Sequence, residues 1–429
     1  MRFPLGADQV SLQARVRDLA DREFRPRAAR WDEHEEYPWD NVKRLVDEGL
    51  MGMAIPVEYG GQGRTLLDVV LAIEAVARVC GVTGRLLVDS NLGPVGAIVH
   101  LGTEAQKCKY LPRVVHGDKP AIAITEARAG SAAADLETRA RRDGERFRLS
   151  GEKRWITGAG VSRTYVVFCR FDEIPGAPGI GALIVDAETP GLAVRRRERA
   201  MGMRGIPEGE LAFEDCPVAA DDCLVGPGEF KRLMAAYNGQ RLGAATVALG
   251  LAQGALEEAV RFAGERVQFG RPIGHFQGLR WMIADMAMQV EAARQLVYRA
   301  AANAGAGLPD MVETAMAKTV AAETAIRVTS DALQVFGATG YSRDCPVERM
   351  VRDARMFAIA GGTVQMLRNV VAGAVLGRLD DPGLRRRRDE TVGHPSRRRR
   401  PVRRPVERFA SRSAETCVRA FATSVTGLR

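Results

Sequence analysis

The sequence predicts an α+β chain: a helical block, a β-rich block and a second helical block, followed by a basic tail. Three observations predict it. Apolar residues recur three and four apart over residues 8–118. From about Lys119 to Gly226 the period shortens to alternating or β-rich runs broken by Gly, Pro and Asp. From about Gly228 to Arg378 the long helical period returns. At 429 residues the chain also exceeds the roughly 250–300 at which a single core stops growing, so several subdomains are expected.

The first block, residues 1–118, carries helical spacing in VSLQARVRDLADREF, WDNVKRLVDEGL, LLDVVLAIEAVARVC and TEAQKCKYLPRVV, and forms an α-helical domain. The second, residues 119–226, holds the strand-like runs AIAIT, FRLSGEKRWIT, TYVVFCR, GALIV, LAVRRRE and GELAFEDC, and forms a small β-domain. The third, residues 227–379, contains four long periodic stretches. They begin at LGAATVALGLAQGALEEAV, at FQGLRWMIADMAMQV, near Met311 and at MLRNVVAGAVLG, and predict an antiparallel four-helix bundle.

Residues 380–429 differ in kind. Residues 381–429 hold 14 Arg and five acidic residues, a surplus equal to the whole formal charge of +9, so residues 1–380 balance at 48 basic and 48 acidic. The folded part gives no electrostatic reason to bind nucleic acid or an anionic membrane. The tail, with RRRR at Arg385–Arg388 and Arg397–Arg400, is expected to be a solvated, disordered extension; any nucleic-acid binding would rest on it alone. Seven scattered cysteines and five dispersed histidines form no close metal-ligand spacing and fit a reducing compartment. No apolar run of about 20 residues occurs, and MRFPLGADQV lacks the order of a signal peptide, so a soluble cytoplasmic protein is expected.

Four segments carry chemistry. ITEARAGS, Ile124 to Ser131, ends a β-run with hydroxyls and small residues that let backbone approach a planar or phosphorylated ligand. WITGAG, Trp155 to Gly160, adds an aromatic wall and the Thr157 hydroxyl. ERVQFGRPIGHFQ and ALQVFGATGY place Arg, Phe and Gln at bends between long helices. Singly, each also reads as a Gly turn, a buried Trp or a helix end.

Occurring in this order across an α–β–α chain, the four segments resemble the acyl-CoA dehydrogenase superfamily from about Asp8 to Gly377. The resemblance implies a helical domain, a middle β-barrel and a C-terminal four-helix bundle, with FAD between barrel and bundle, a CoA-thioester ligand and a homotetramer built as a dimer of dimers. It implies that Ile124, Thr125, Ser131, Trp155 and Thr157 hold the flavin ring and pyrophosphate. Arg266, Phe269, Gln277, Gln334 and Gly337 would reach the adenylate of the neighbour's flavin, with Thr363 and Gln365 beside the ribityl chain. Ser131 and Arg241 would also touch the substrate. Ala127 and Arg128 depart from the family, which more often has Pro and a small residue there.

The same resemblance makes one absence decisive. In RDARMFAIAGGTVQMLR, Gly361 stands where the family keeps its carboxylate base, and the alternative base position, in YNGQRLGAA, is the neutral Gln240. Abstraction of an α-proton from a thioester needs a positioned base, which glycine cannot supply. Gly361 could still offer its backbone N–H to the thioester carbonyl. Arg85, in GRLLVDSNLG, would lie near the acyl end of the pocket and bind an anionic group; four residues on, Asp89 either pairs with it on a helix surface or replaces the lost base. YPWDNV and RGIPE strengthen a likeness to a base-less branch of the superfamily. There the implied reaction is hydrolytic release of sulfite from a three-carbon sulfinate CoA thioester, with no net redox change. The alternative is dehydrogenation of a small or anionic acyl-CoA with Asp89 as base.

Overall fold

The three periodic blocks fold as three packed units in a computed structural model that describes residues 5–377. The Arg-rich tail, and with it the expectations of disorder and of nucleic-acid binding, lies outside the described residues.

The N-terminal unit comprises α1 (Ala7–Leu19), α2 (Ala28–Glu33), α3 (Trp39–Asp47), α4 (Leu66–Ala77), α5 (Gly81–Asn91), α6 (Gly93–Leu101) and α7 (Glu104–Val115). A π-helical turn at Ala20–Phe24 extends α1. Reciprocal caps start two of these helices: Thr65 Oγ1 accepts from Asp68 N at 3.3 Å, and Thr103 Oγ1 accepts from Gln106 N at 3.2 Å, each answered by the N3 side chain. The helix α5 is buried on every side although it contains Arg85, Asp89, Ser90 and Asn91. A helix buried all round must satisfy such groups internally, which marks α5 as the place to look for a site.

The middle unit contains β1 (Ala121–Ala123), β2 (Arg139–Asp143), β3 (Arg146–Thr157), β4 (Thr164–Phe171), β5 (Ile180–Asp186), β6 (Leu192–Arg197), β7 (Glu208–Ala219) and β8 (Cys223–Val225). Its sheet runs β6-β7-β3-β2-β4-β5-β8, with β1 parallel to β4. The sheet rolls enough to bring β5 against β7, two strands that do not pair. TYVVFCRF reads as a continuous apolar run because β4 is covered on both faces. Val166 and Phe168 join a core shared with α6 and α7, while Tyr165, Val167 and Cys169 face the interior of the roll.

The C-terminal unit holds α8 (Phe230–Glu265), α9 (Gln277–Ala304), α10 (Met311–Phe336), α11 (Pro346–Met356) and α12 (Val364–Leu376). The expected four long helices are α8, α9, α10 and α12; α11 is a shorter addition over VERMVRDARM. Asp310 caps α10 by accepting from Val312 N and Glu313 N. A short hairpin of β9 (Val267–Gln268) and β10 (Arg271–Pro272) joins α8 to α9 and holds Phe269 at φ 51. Close packing of α8 on α5 requires Gly243, whose added Cβ would fall 2.3 Å from Val88 Cγ1. The three units are tied by Asp32 of α2, whose carboxylate accepts from Arg204, at 3.0 and 2.9 Å, and from Arg352 of α11, at 2.8 and 2.6 Å.

Candidate active site

One turn of α5 places Arg85 and Asp89 on a common face, and α8 brings Gln240 to it. Arg85 Nη2 lies 3.4 Å from Asp89 Oδ1, and Gln240 Nε2 donates to the same oxygen at 3.1 Å. The surface-pair reading of Arg85 and Asp89 is therefore corrected. The two do pair, but at 7% and 3% exposure, because α5 is enclosed on all sides.

Lys119, in the segment before β1, reaches Asp89 Oδ2 at 3.0 Å without hydrogen-bond alignment and donates to Thr157 O at 3.2 Å. Thr157 Oγ1 in turn donates to Glu208 Oε1 at 2.8 Å. A continuous polar chain thus runs from the bundle (Gln240) through α5 to the β-domain (Thr157, Glu208). Three of its members are incomplete: Arg85 Nε, Asp89 Oδ2 and Gln240 Oε1 are buried with no hydrogen-bond partner among the described residues. Gln240 fits only because Gly93, at φ 39, has no side chain; a Cβ there would sit 1.8 Å from Gln240 Oε1. Burial pushes the Glu208 carboxyl up to about 7, with Thr157, Arg85 and Lys119 opposing and Asp89 adding to the rise. Burial also raises the Tyr37 phenol, helped by Asp89 and Asp118.

Across from this chain, the turn after α11 presents Gly361 at φ 76 and Gly362 at φ 90, conformations that favour glycine. Both carbonyls are held by cations from the bundle. Arg241 Nε donates to Gly361 O at 3.1 Å, and Lys318 Nζ donates to Gly362 O at 2.6 Å. Arg241 is fixed further by Asn238 Oδ1 at 2.9 Å and by the Tyr237 ring. Burial lowers the Lys318 ammonium to about 7, with the Arg241 charge adding to the effect. No backbone carbonyl among the described residues takes the Gly361 N–H.

The residues expected around a flavin ring fall together on the β-domain. Arg154 N donates to Thr125 O at 2.8 Å and Lys153 Nζ to Ile124 O at 2.9 Å, which lays ITEARAGS beside WITGAG. Trp155 stands 54% exposed at φ 57, and Ser131 is exposed. A large aromatic side chain held outward in a strained conformation next to open backbone fits a planar ring ligand. Arg266, Phe269 (92% exposed), Gln277, Gln334 and Gly337 gather at the other end of the bundle, where Phe262 and Phe336 stack at 4.2 Å. Along α10 the 16 residues from Lys318 to Gln334 span about 24 Å, so this group does not join the Arg85 chain within one protomer. Thr363 caps α12 by accepting from Met366 N at 3.2 Å, and Gln365 is exposed beside it.

Lys119, Glu208 and Lys318 were not singled out by the sequence. Lys119 precedes a strand with no motif around it, and Lys318 lies in an Ala-rich helix face. Only Glu208 had a signal, as the last residue of RGIPE.

Fold and site define a class: the chain belongs to the acyl-CoA dehydrogenase family. Models of that family's N-terminal, middle and C-terminal domains match residues 6–118, 121–216 and 230–376. The chain is 54% identical over 381 residues to the 3-sulfinopropanoyl-CoA desulfinase of Cupriavidus necator, covering 87% of this chain and 96% of that one. It is 40% identical to the short-chain-specific acyl-CoA dehydrogenase of Clostridium acetobutylicum, over 87% of this chain and 100% of that one. The structure of butyryl-CoA dehydrogenase from Megasphaera elsdenii superposes with a TM-score of 0.85 at 36% identity, covering 88% of this chain and all of the other. No described helix is long and apolar enough to cross a membrane.

Proposed function

We propose that this chain is a desulfinase that hydrolyses 3-sulfinopropionyl-CoA to propionyl-CoA and sulfite, acting as a cytoplasmic homotetramer with FAD bound. The carrying observation is the unfinished cation: Arg85 is buried against Asp89 with its Nε unpartnered, beside an equally unpartnered Gln240 Oε1. A buried guanidinium with an open N–H is costly unless a ligand completes it, and a sulfinate offers acceptor oxygens of matching geometry. A fatty acyl chain would leave it unmet.

Gly361 contributes by what it lacks. With no carboxylate there and only Gln240 at the alternative position, the α-proton stays in place and the substrate is not diverted into oxidation. The Gly361 N–H would polarise the thioester carbonyl. Gln240, tied to Asp89, would orient the sulfinate or a water. FAD would be held by Ile124, Thr125, Ser131, Trp155 and Thr157, with its adenylate reached by Arg266, Phe269, Gln277, Gln334 and Gly337 of a neighbouring protomer, and would supply a planar polarisable ring.

The dehydrogenase alternative asks Asp89 to be the base. Its Oδ1 accepts from Gln240 and faces Arg85, and its Oδ2 faces Lys119, contacts it would have to give up to reach an α-proton.

The test is anaerobic incubation of the flavin-loaded protein with 3-sulfinopropionyl-CoA, following sulfite by colour and CoA esters by mass, beside dye reduction with butyryl- and succinyl-CoA. Sulfite and propionyl-CoA without dye reduction are expected. Dye reduction without sulfite would select the Asp89-dependent dehydrogenase.

A further inference from the structure

Glu208 is a buried carboxyl that neither the fold nor the anion site uses. It begins β7, opposite Thr157 of β3. Oε1 is held by the Thr157 hydroxyl at 2.8 Å, Oε2 has no protein partner among the described residues, and the residue keeps 9% exposure. The charged groups facing it are Arg85 and Asp89 from α5 and Lys119 from the segment before β1. Burial outweighs the two cations, so near neutrality this carboxyl holds its proton on a substantial fraction of molecules.

The reaction needs such a proton. Propionyl-CoA carries one hydrogen on its terminal carbon that replaces the sulfinate. The carbon–sulfur bond breaks, the carbon takes a proton, and sulfur takes hydroxide from water to leave as bisulfite. The remaining proton of that water balances the one delivered, and no oxidant or reductant is consumed. Of the other groups, Gln240 is an amide with no acidic proton, and Lys318, the other group that burial brings to about 7, is directed at the Gly362 carbonyl.

Resting on the desulfination reading, we propose that Glu208, with Oε1 fixed by the Thr157 hydroxyl, stores the proton delivered to carbon on its unpartnered Oε2 and recovers it from the water consumed at sulfur.

The test compares flavin-loaded wild type with Glu208→Gln, which keeps shape and hydrogen bonding but has no acidic proton, and with Glu208→Asp. Sulfite release from 3-sulfinopropionyl-CoA is measured across pH, with infrared spectra of the same proteins. Wild-type kcat is expected to fall as pH rises through about 7. Glu208→Gln should lose on the order of 100-fold or more in kcat with KM unchanged and no fall of that kind, and Glu208→Asp should restore part of it. The wild-type-minus-Gln infrared difference should show a neutral-carboxyl band that disappears over the same range. Asp353, which burial pushes up to about 6, is common to both and cancels. Glu208→Gln with wild-type kcat and pH profile, or no titrating band, overturns the relay while desulfination stands. Wild type that releases no sulfite overturns the desulfination reading and the relay with it.

Discussion

Two buried aspartates in this chain each face two cations, and they are built differently. Asp32 accepts four hydrogen bonds of 3.0 Å or less from Arg204 and Arg352, which use both carboxylate oxygens. The two arginines hold its carboxyl well below the usual carboxylate range. Asp89 has Arg85 at 3.4 Å, Lys119 at 3.0 Å out of alignment, and one hydrogen bond, from Gln240. A fork-to-fork pair with every position filled holds elements together; a loose one keeps donors in reserve for something that is absent from the protein itself. Saturation is what separates the two clusters.

The largest effect that would break this contrast is on stability. Asp32→Ala strands two arginines and should cost about 3 kcal/mol in denaturant unfolding, while the folded fraction keeps its sulfite turnover per flavin. The loss is pH-dependent with a definite sign. A depressed folded-state carboxyl stabilises above its ordinary value of 3.8, and that share disappears as pH falls through the lower folded value, so wild type and Asp32→Asn should converge in acid. A constant gap between their urea midpoints across that range would reject the assignment.

Next in size is Arg85→Ala. Truncating one partner of a buried charge pair should weaken the sulfinate thioester by about 2 kcal/mol or more, roughly 30-fold in KM or Kd, and leave butyryl-CoA affinity nearly unchanged. Equal losses for both ligands, or none, would make Arg85 structural like Arg204. Gln240→Glu should be smaller and more selective. It sets a second carboxylate 3.1 Å from Asp89 Oδ1, so the new group binds a proton more tightly, sulfite release falls, and any dye reduction with butyryl-CoA grows with rising pH.

The smallest change is Gly361→Glu. A Cβ at that position meets only Arg241 Cγ, at 3.9 Å, but the φ of 76 should cost about 1 kcal/mol in unfolding free energy. Dye reduction should appear at the expense of sulfite. A variant that gains neither base chemistry nor strain would show that the loop is not where the two chemistries part.

The fold was legible because each block keeps one period for many residues, and the long bundle helices declare themselves through spacing alone. The site was legible only where chemistry breaks a pattern locally: Arg85 inside an apolar stretch, Gly361 within a recognisable loop, Gln240 at a base position. Burial was not legible. GRLLVDSN has enough polar residues to suggest a solvent face, yet α4 and α8 enclose it, so the predicted surface pair became the centre of the site. Lys119 and Glu208 escaped because their meaning lies in partners distant in sequence, with Asp89 30 residues from one and Thr157 51 residues from the other.

The glycine turn has one more consequence. With Arg241 and Lys318 gripping the carbonyl oxygens of Gly361 and Gly362, the negative ends of two consecutive peptide dipoles are covered by cations. What the turn leaves uncovered is its positive, N–H side. A carboxylate side chain at residue 361 would add a negative charge to this turn; with glycine there, the charges nearest it are the two cations on its carbonyls.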